Sequence, residues 1–239
     1  MKHTAPIVFL LDVDNTLLDN DGIIEDLQHH LMQAFSRECQ DRYWNIFEER
    51  RTQLGYADYL GALQRYRDEN PCDQHVLEIG AYLLDYPFAN RLYPGSINVI
   101  EHLSTWGPTV ILSDGDIIFQ PRKVKASGLA KAVQDRVLIY IHKEQVLDDV
   151  EKHFPARHYV LVDDKICILT EAKKAWKSRL TTIFPHQGHY ARDPELVKAY
   201  PSADITIENV GELLNYNLAV LLSAGRPNNP GAAPFTERA

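Results

Sequence analysis

Ile7-Val8-Phe9-Leu10-Leu11-Asp12-Val13-Asp14-Asn15-Thr16-Leu17 is an apolar run that ends abruptly in two carboxylates one residue apart. An apolar run of this kind reads as a strand covered on both faces, hence central in a parallel sheet. Open α/β sheets place their chemistry at the C-terminal ends of such strands. Residues two apart on a strand point the same way, so Asp12 and Asp14 face one small volume. Two acids that close repel unless they share a proton or hold a cation between them. The stretch therefore predicts a parallel α/β core with chemistry where its first strand ends.

Working outward, the text changes character after Thr16. From about Gly22 to Asp85 helical periodicity dominates. Leu27, Leu31, Ala34 and Phe35 fall at i, i+4, i+7 and i+8, one face of an amphipathic helix. Tyr43, Trp44 and Phe47 continue in that style, and Tyr56, Tyr59, Leu60, Leu63 and Tyr66 form an aromatic-rich face. Asn70-Pro71 breaks the run and Val76 to Tyr86 resumes it. This is a helical insert. Strand signals return at Thr109–Leu112, Val137–Ile141, Tyr159–Val162, Thr181–Phe184 and Ile205–Ile207, with helical stretches Ile97–Trp106, Glu144–His153 and Ile168–Lys177 between them. Regular alternation of strand and helix marks a parallel sheet. A last helix is expected over roughly Val210–Ser223. The sequence then predicts a discontinuous core of residues 1–18 and 90–224, a helical cap of residues 19–89, and a flexible tail of residues 225–239 rich in Pro, Gly and Asn.

Composition narrows the function. With 239 residues, 45% hydrophobic and 24% charged, the chain is long enough for a sizeable globular core. A net charge of -8 without a basic block argues against an electrostatic hold on nucleic acid. Cys39, Cys72 and Cys167 are far apart and match no metal spacing, so they read as reduced thiols in a cytoplasmic protein. The apolar stretch before Asp12 is too short for a signal peptide or membrane span. No nucleic-acid or membrane partner is expected; the oligomeric state is left open.

Four of the expected strands end in residues suited to phosphoryl transfer. The first ends in Asp12 and Asp14, the second in Ser113-Asp114-Gly115-Asp116, the third leads to His142-Lys143, and the fourth ends in Asp163-Asp164-Lys165. Parallel strands share one edge, so these groups converge although distant in sequence. Carboxylates from two strands suit Mg²⁺, which prefers oxygen ligands. A lysine and a hydroxyl suit phosphate oxygens.

At these residues the chain closely resembles the haloacid dehalogenase superfamily of hydrolases. The match runs through Leu10-Leu11-Asp12-Val13-Asp14-Asn15-Thr16, Ile111-Leu112-Ser113, a lysine, and Val160-Leu161-Val162-Asp163-Asp164. The resemblance implies a Rossmann-like core with a C1-type helical cap. It also implies Asp12 as nucleophile forming an aspartyl-phosphate, and Asp14 as the acid that protonates the leaving oxygen and later activates water. Mg²⁺ would be held by Asp12, the Asp14 main-chain carbonyl and Asp163, with Asp164 a ligand or an acid just behind it. Ser113 and Lys143 would hold the phosphoryl group. Dehalogenases of the superfamily generally lack an acid at the Asp14 position, so the resemblance favours a phosphatase acting on a small phosphate ester. A phosphomutase or phosphotransferase, and a binding protein on the same fold with vestigial catalysis, are the alternatives.

This chain also departs from the family pattern. Glu144 rather than Pro follows Lys143, and Lys123 and Lys125 rival Lys143 as the phosphate-binding lysine. Cys167 stands where the commonest form of the fourth motif has its second acid, and Lys165 is expected to pair with Asp164. Asp148-Asp149 reads as a solvated face, and His186 and His189 as a surface loop rather than a metal pair. Tyr56, Tyr59 and Tyr66 read as packing residues, and Arg50, Arg51, Arg65 and Arg67 as ordinary helix-surface charges.

Overall fold

The computed structural model describes residues 4–34 and 36–225. Six strands form one sheet: β1 (Ala5–Leu11), β2 (Thr109–Asp114), β3 (Val137–Tyr140), β4 (Ala156–Val162), β5 (Leu180–Pro185) and β6 (Ile205–Ile207). Their order is β3-β2-β1-β4-β5-β6, and every neighbouring pair is parallel. β1 is central, with Phe9 opposite Thr109 on one side and Val160 on the other. Strand order reverses beside β1, which opens a crevice at the carboxyl edge of the sheet. Asp12 emerges there.

The period-two alternation of β1 divides its apolar run between two cores. Ile7, Phe9 and Leu11 face one, with Ile111, Val160, Val162 and Ile183. Val8 and Leu10 face the other, with Val110, Leu112, Leu161 and Phe184. Both faces of the sheet are therefore covered, as a continuous apolar strand requires.

Four helices follow β1: α1 (Asn20–Ala34), α2 (Arg37–Leu54), α3 (Tyr59–Glu69) and α4 (His75–Asp85). Later connections carry α5 (Ser96–Ser104), α6 (Phe119–Ala126), α7 (Leu129–Ala132), α8 (Leu147–His153), α9 (Ile166–Trp176), α10 (Gly188–Arg192), α11 (Pro194–Lys198) and α12 (Leu218–Ala224). Helices α8 and α9 cover the Val8–Leu10 face, whereas α5, α6, α7 and α12 share the other core with the four inserted helices. α2 and α3 start where a side chain satisfies a free backbone N–H. Ser36 caps α2 by accepting from the Cys39 N–H, Asp58 caps α3 by accepting from the Gly61 N–H, and α2 ends on Gly55 with φ of 80°. Tyr43, Phe47, Tyr59 and Tyr66 form the interior of the insert. The Tyr59 ring lies 4.8 Å from Phe47 and 5.1 Å from Phe119 of α6, so an aromatic stack runs from the insert into the sheet-bearing core.

Two expectations need correction. The helix expected over Val210–Ser223 is broken: a 3-10 turn over Val210–Asn215 precedes α12. Tyr216 and Asn217 are extended, and the Asn217 side chain accepts from the Val220 N–H, starting a new helix instead of continuing the old one. Gly225, placed in the tail by sequence, is buried against β5, where an added Cβ would sit 2.9 Å from the Leu180 carbonyl oxygen. Residues 226–239 of the expected tail, and Phe35 of the first helical face, lie outside the described residues. No helix among the described residues is long and apolar enough to cross a membrane.

Candidate active site

The turn after β1 carries the first two acids. The Asp12 N–H donates to the Val162 carbonyl at 3.0 Å, extending the β1–β4 ladder one residue past the strand. The N–H groups of Leu17 and Leu18 both donate to the Val13 carbonyl, and Asn15 takes φ of 59°, so the chain folds back directly behind Asp14. Thr16 Oγ1 accepts from the Asp164 N–H at 3.1 Å, fastening this turn to the end of β4. Gly188 packs on the same turn with φ of +71°; a Cβ there would lie 2.4 Å from that of Asn15. Only glycine meets both demands.

Each acid has its own buried lysine. Lys143, in the loop after β3, is 2% exposed. Its Nζ donates to Asp12 at 2.5 Å and lies 2.7 Å from Asp163 Oδ2. Its N–H donates to Asp114 Oδ1 at 2.8 Å, which fixes the loop across the sheet edge. Burial by itself would lower the Lys143 pKa, yet Asp12, Asp163 and Asp114 together push it well above the ordinary lysine range. The ammonium is therefore permanently charged.

Lys123, on α6, is 1% exposed and donates to Asp14 Oδ1 at 2.7 Å and to Asn20 Oδ1 at 3.0 Å. Gln120, one turn earlier on the same helix, donates to Asp14 Oδ2 at 3.3 Å and to Ser113 Oγ at 2.9 Å. The two rival lysines thus divide the two acids between them, and Lys125 is exposed. Sequence reading left out Gln120 and Asn20. Lys123 and Gln120 are spaced i, i+3 on one helix face, a signal that was available.

Asp12, Asp163 and Asp164 bring carboxylate oxygens within 4.8 Å of one another, all buried. Burial raises the Asp163 pKa to about 6, with the Asp12 charge adding to the shift and Lys143 opposing it. Asp164 is pushed up for the same reasons, burial first and then Asp12 and Asp163. Its Oδ2 is buried without a hydrogen-bond partner. Crowded, desolvated carboxylates with an unpaired oxygen fit a divalent cation that takes oxygen ligands. The side chain of Asp14 stands outside this trio, turned to Lys123. The expected pairing of Lys165 with Asp164 is not a direct ion pair: the Lys165 ammonium lies over the Tyr190 ring at 5.0 Å. Burial lowers and the nearby Asp164 charge raises its pKa, with a net upward shift.

These groups floor a cavity of about 670 Å³, mouth included, lined by Asp12, Asp14, Ser113, Asp114, Asp164 and Lys165. Its roof comes from the insert: Phe47 and Arg51 of α2 and the following turn Gly55-Tyr56-Ala57. Tyr59 and Tyr66 are buried packing residues, as expected, but Tyr56 and Arg51, expected in packing and on the surface, line the cavity. Helical periodicity does not reveal which face meets another domain's loop. His189 also lines the cavity rather than lying apart from it; its ring Nδ1 donates to Asp21 Oδ1 at 2.7 Å, and the same carboxylate accepts from the His189 main-chain N–H at 2.8 Å. His186 is 3.7 Å from Glu208 and outside the cavity. Asp148 is exposed, and Asp149 accepts from the Tyr140 hydroxyl at 2.7 Å.

Comparison with known proteins agrees with this geometry. A family model of haloacid dehalogenase-like hydrolases matches residues 8–166. No curated protein matches at a significant level. Among solved structures, one described as a haloacid dehalogenase-like hydrolase from Burkholderia xenovorans is 58% identical, with a TM-score of 0.86, over 89% of this chain and 99% of that one. The magnesium-bound HAD-hydrolase YfnB from Bacillus subtilis is 15% identical, with a TM-score of 0.56, over 89% of this chain and 97% of its own. The L-2-haloacid dehalogenase from Xanthobacter autotrophicus, with chloropropionic acid covalently bound, is 15% identical with a TM-score of 0.57, over 88% and 97%. The last two share the fold. A parallel sheet whose carboxyl edge gathers Asp12, Asp14, Ser113, Lys143, Asp163 and Asp164 beneath a helical insert, with a family match across two thirds of the chain, makes this protein a member of the haloacid dehalogenase-like hydrolases.

Proposed function

We propose that this hydrolase is a Mg²⁺-dependent phosphatase that cleaves small-molecule phosphate monoesters through an aspartyl-phosphate on Asp12. The observation that carries this reading is Asp14, an acid on the cavity wall held in place by Lys123 at 2.7 Å and Gln120 at 3.3 Å. A halide leaves without a proton, whereas an ester oxygen leaving phosphorus needs one. A carboxylate fixed by two buried partners beside the nucleophile serves the second reaction and is idle in the first.

In this scheme Asp12 attacks phosphorus and the bond to the leaving oxygen breaks, with Asp14 supplying the proton. Water then attacks the aspartyl-phosphate as Asp14 takes a proton back, which releases inorganic phosphate and restores Asp12. Lys143 stands beside the nucleophile with a permanent charge, and Ser113 Oγ is oriented by Gln120 to hydrogen-bond the phosphoryl oxygens. Asp12, Asp163 and Asp164 would hold Mg²⁺, which neutralises charge on the phosphoryl oxygens when bound. Residues 19–89 act as a cap that excludes bulk water from the cavity. The negative net charge supports a small-molecule substrate over nucleic acid, and three free cysteines agree with a reducing, cytoplasmic setting.

The test compares an alkyl with a nitrophenyl phosphate. Asp14→Asn should lower kcat/KM, which excludes the shared hydrolysis of the aspartyl-phosphate, far more for the alkyl ester than for the nitrophenyl ester, whose leaving group needs no proton. Equal losses on both esters, or chloride release from 2-chloropropionate by the unaltered protein, would reject the reading.

A further inference from the structure

The cations around the cavity are unequally occupied. Lys143 is held by Asp12 and Asp163, Lys123 by Asp14, and His189 by Asp21. Lys165 sits over Tyr190 in the field of Asp164. The polar amides are engaged too: Asn15 donates to Asp21, and Asn20 accepts from Lys123. Arg51 differs. Its ion pair is with Glu48 at 2.9 Å, one helical turn away, with side chains 35% and 52% exposed. An exposed pair of this kind is weak and gives way readily to a better partner. A guanidinium offers a planar fork that carboxylates and phosphates fill with two hydrogen bonds.

The surroundings of Arg51 favour a short, largely aliphatic spacer between that group and the phosphorus. Phe47, Ile24 and Ala57 supply apolar wall. Tyr56 adds a phenol whose pKa is raised, by burial first and then by Asp58 and Asp116, so it keeps its proton and can donate. The turn bearing Tyr56 is pressed on the core. Gly55 has φ of +80°, and a Cβ there would lie 2.7 Å from the His142 ring. Arg51 and Tyr56 are thereby held over the floor that carries Asp12.

Building on the phosphatase reading, we infer that the substrate's leaving group carries a second anion, a carboxylate or a phosphate, received by Arg51 at the roof of the cavity. Arg51 is then the residue that selects the substrate, and the substrate is a short dianionic-ended phosphate ester rather than a neutral sugar phosphate.

The test uses full-length Asp12→Asn protein in MgCl₂, so that ligands bind without turnover. Calorimetry compares 3-(phosphonooxy)propanoate and 1,3-propanediol bisphosphate with 3-hydroxypropyl phosphate. The expected result is about tenfold or tighter binding of an anionic-ended compound over the hydroxyl-ended one. The tighter of the two anionic compounds identifies the group. Adding Arg51→Gln should bring that ratio close to one, and Arg51→Lys should restore part of it. Glu48→Gln, which frees Arg51 from its competitor, should hold or increase the ratio. Thermal melts of each variant show whether the fold is kept. A ratio near one in the parent protein, no binding of any compound, or a ratio indifferent to Arg51→Gln in a folded variant would overturn the inference. Phosphate release by the unaltered protein is measured in parallel. Release with a flat ratio overturns the second-anion inference and leaves the phosphatase reading standing; a steep ratio without release does the reverse.

Discussion

The floor and the roof of the cavity are built by different rules. The floor is the carboxyl edge of a parallel sheet, where Asp12, Ser113 and Asp163 are buried at strand ends and two lysines exposed by 2% or less fix the acids. The roof is the end of one helix and a turn, where Arg51 and Tyr56 are partly exposed and Arg51 pairs with a surface glutamate. Buried charges held by a lysine keep one arrangement, and removing that partner leaves an uncompensated charge. Partly exposed charges can exchange partners for a ligand at little cost. Under the proposed function, chemistry falls to the floor and choice of substrate to the roof.

Four changes probe that division, beginning with the most damaging. Asp12→Asn removes the proposed nucleophile and should lower phosphate release by at least ~10⁴-fold, with the fold kept by near-ultraviolet circular dichroism. Asp14→Asn should cost roughly 10²–10⁴-fold on an alkyl phosphate, and much less on a nitrophenyl ester, as read by kcat/KM. Lys143→Met should destabilise by about 3–5 kcal/mol in denaturant titration without added metal, because Asp12 and Asp163 lose a buried cation. Lys123→Met should cost less than Lys143→Met, since the side chain of Asp14 is 27% exposed and can recruit water. Equal costs for the two lysines would remove the distinction between a sealed and a half-open acid.

The smallest effect is in pH. Asp163 is pushed up to about 6 from 3.8, mainly by burial. Between those values the folded chain holds a proton that the unfolded chain has lost, so metal-free stability falls as pH rises through the window. Mg²⁺ would bind the deprotonated carboxylates, so its effect would run the other way. The rise in Tm on adding MgCl₂ should be larger at pH 7 than at pH 5. A rise independent of pH would separate the acid trio from metal binding.

The floor was legible because its signals are local. An apolar run announces each buried strand, parallel strands share one edge, and the residue after each run must lie there. Ser113 and Asp163 each stand directly at the end of such a run, where the family motifs also place a hydroxyl and an acid. The choice between Lys143 and Lys123 was harder, since both prove buried and each takes one acid; only three-dimensional packing shows that β3 delivers Lys143 to Asp12 while α6 delivers Lys123 to Asp14. The roof was hidden for a different reason. Arg51 stands beside Arg50 on α2 and Tyr56 reads in sequence like Tyr59, yet Arg50 bonds to Asp58, Tyr59 is buried, and Tyr56 lies in the turn between α2 and α3. Periodicity gives the face of a helix, and the docking of that helix on the core decides what the face meets. The break at Tyr216-Asn217 was missed because a side-chain cap competes with helix continuation without disturbing the apolar pattern.

The central claim, that Asp12 takes a phosphoryl group while Asp14 manages the proton, is tested most directly by one comparison of products. The unaltered protein and Asp12→Asn are each offered an alkyl phosphate and 2-chloropropionate in MgCl₂, and inorganic phosphate and chloride are measured. Phosphate is expected from the unaltered protein alone and chloride from neither. Phosphate release that survives Asp12→Asn, or chloride release by the unaltered protein, would contradict it.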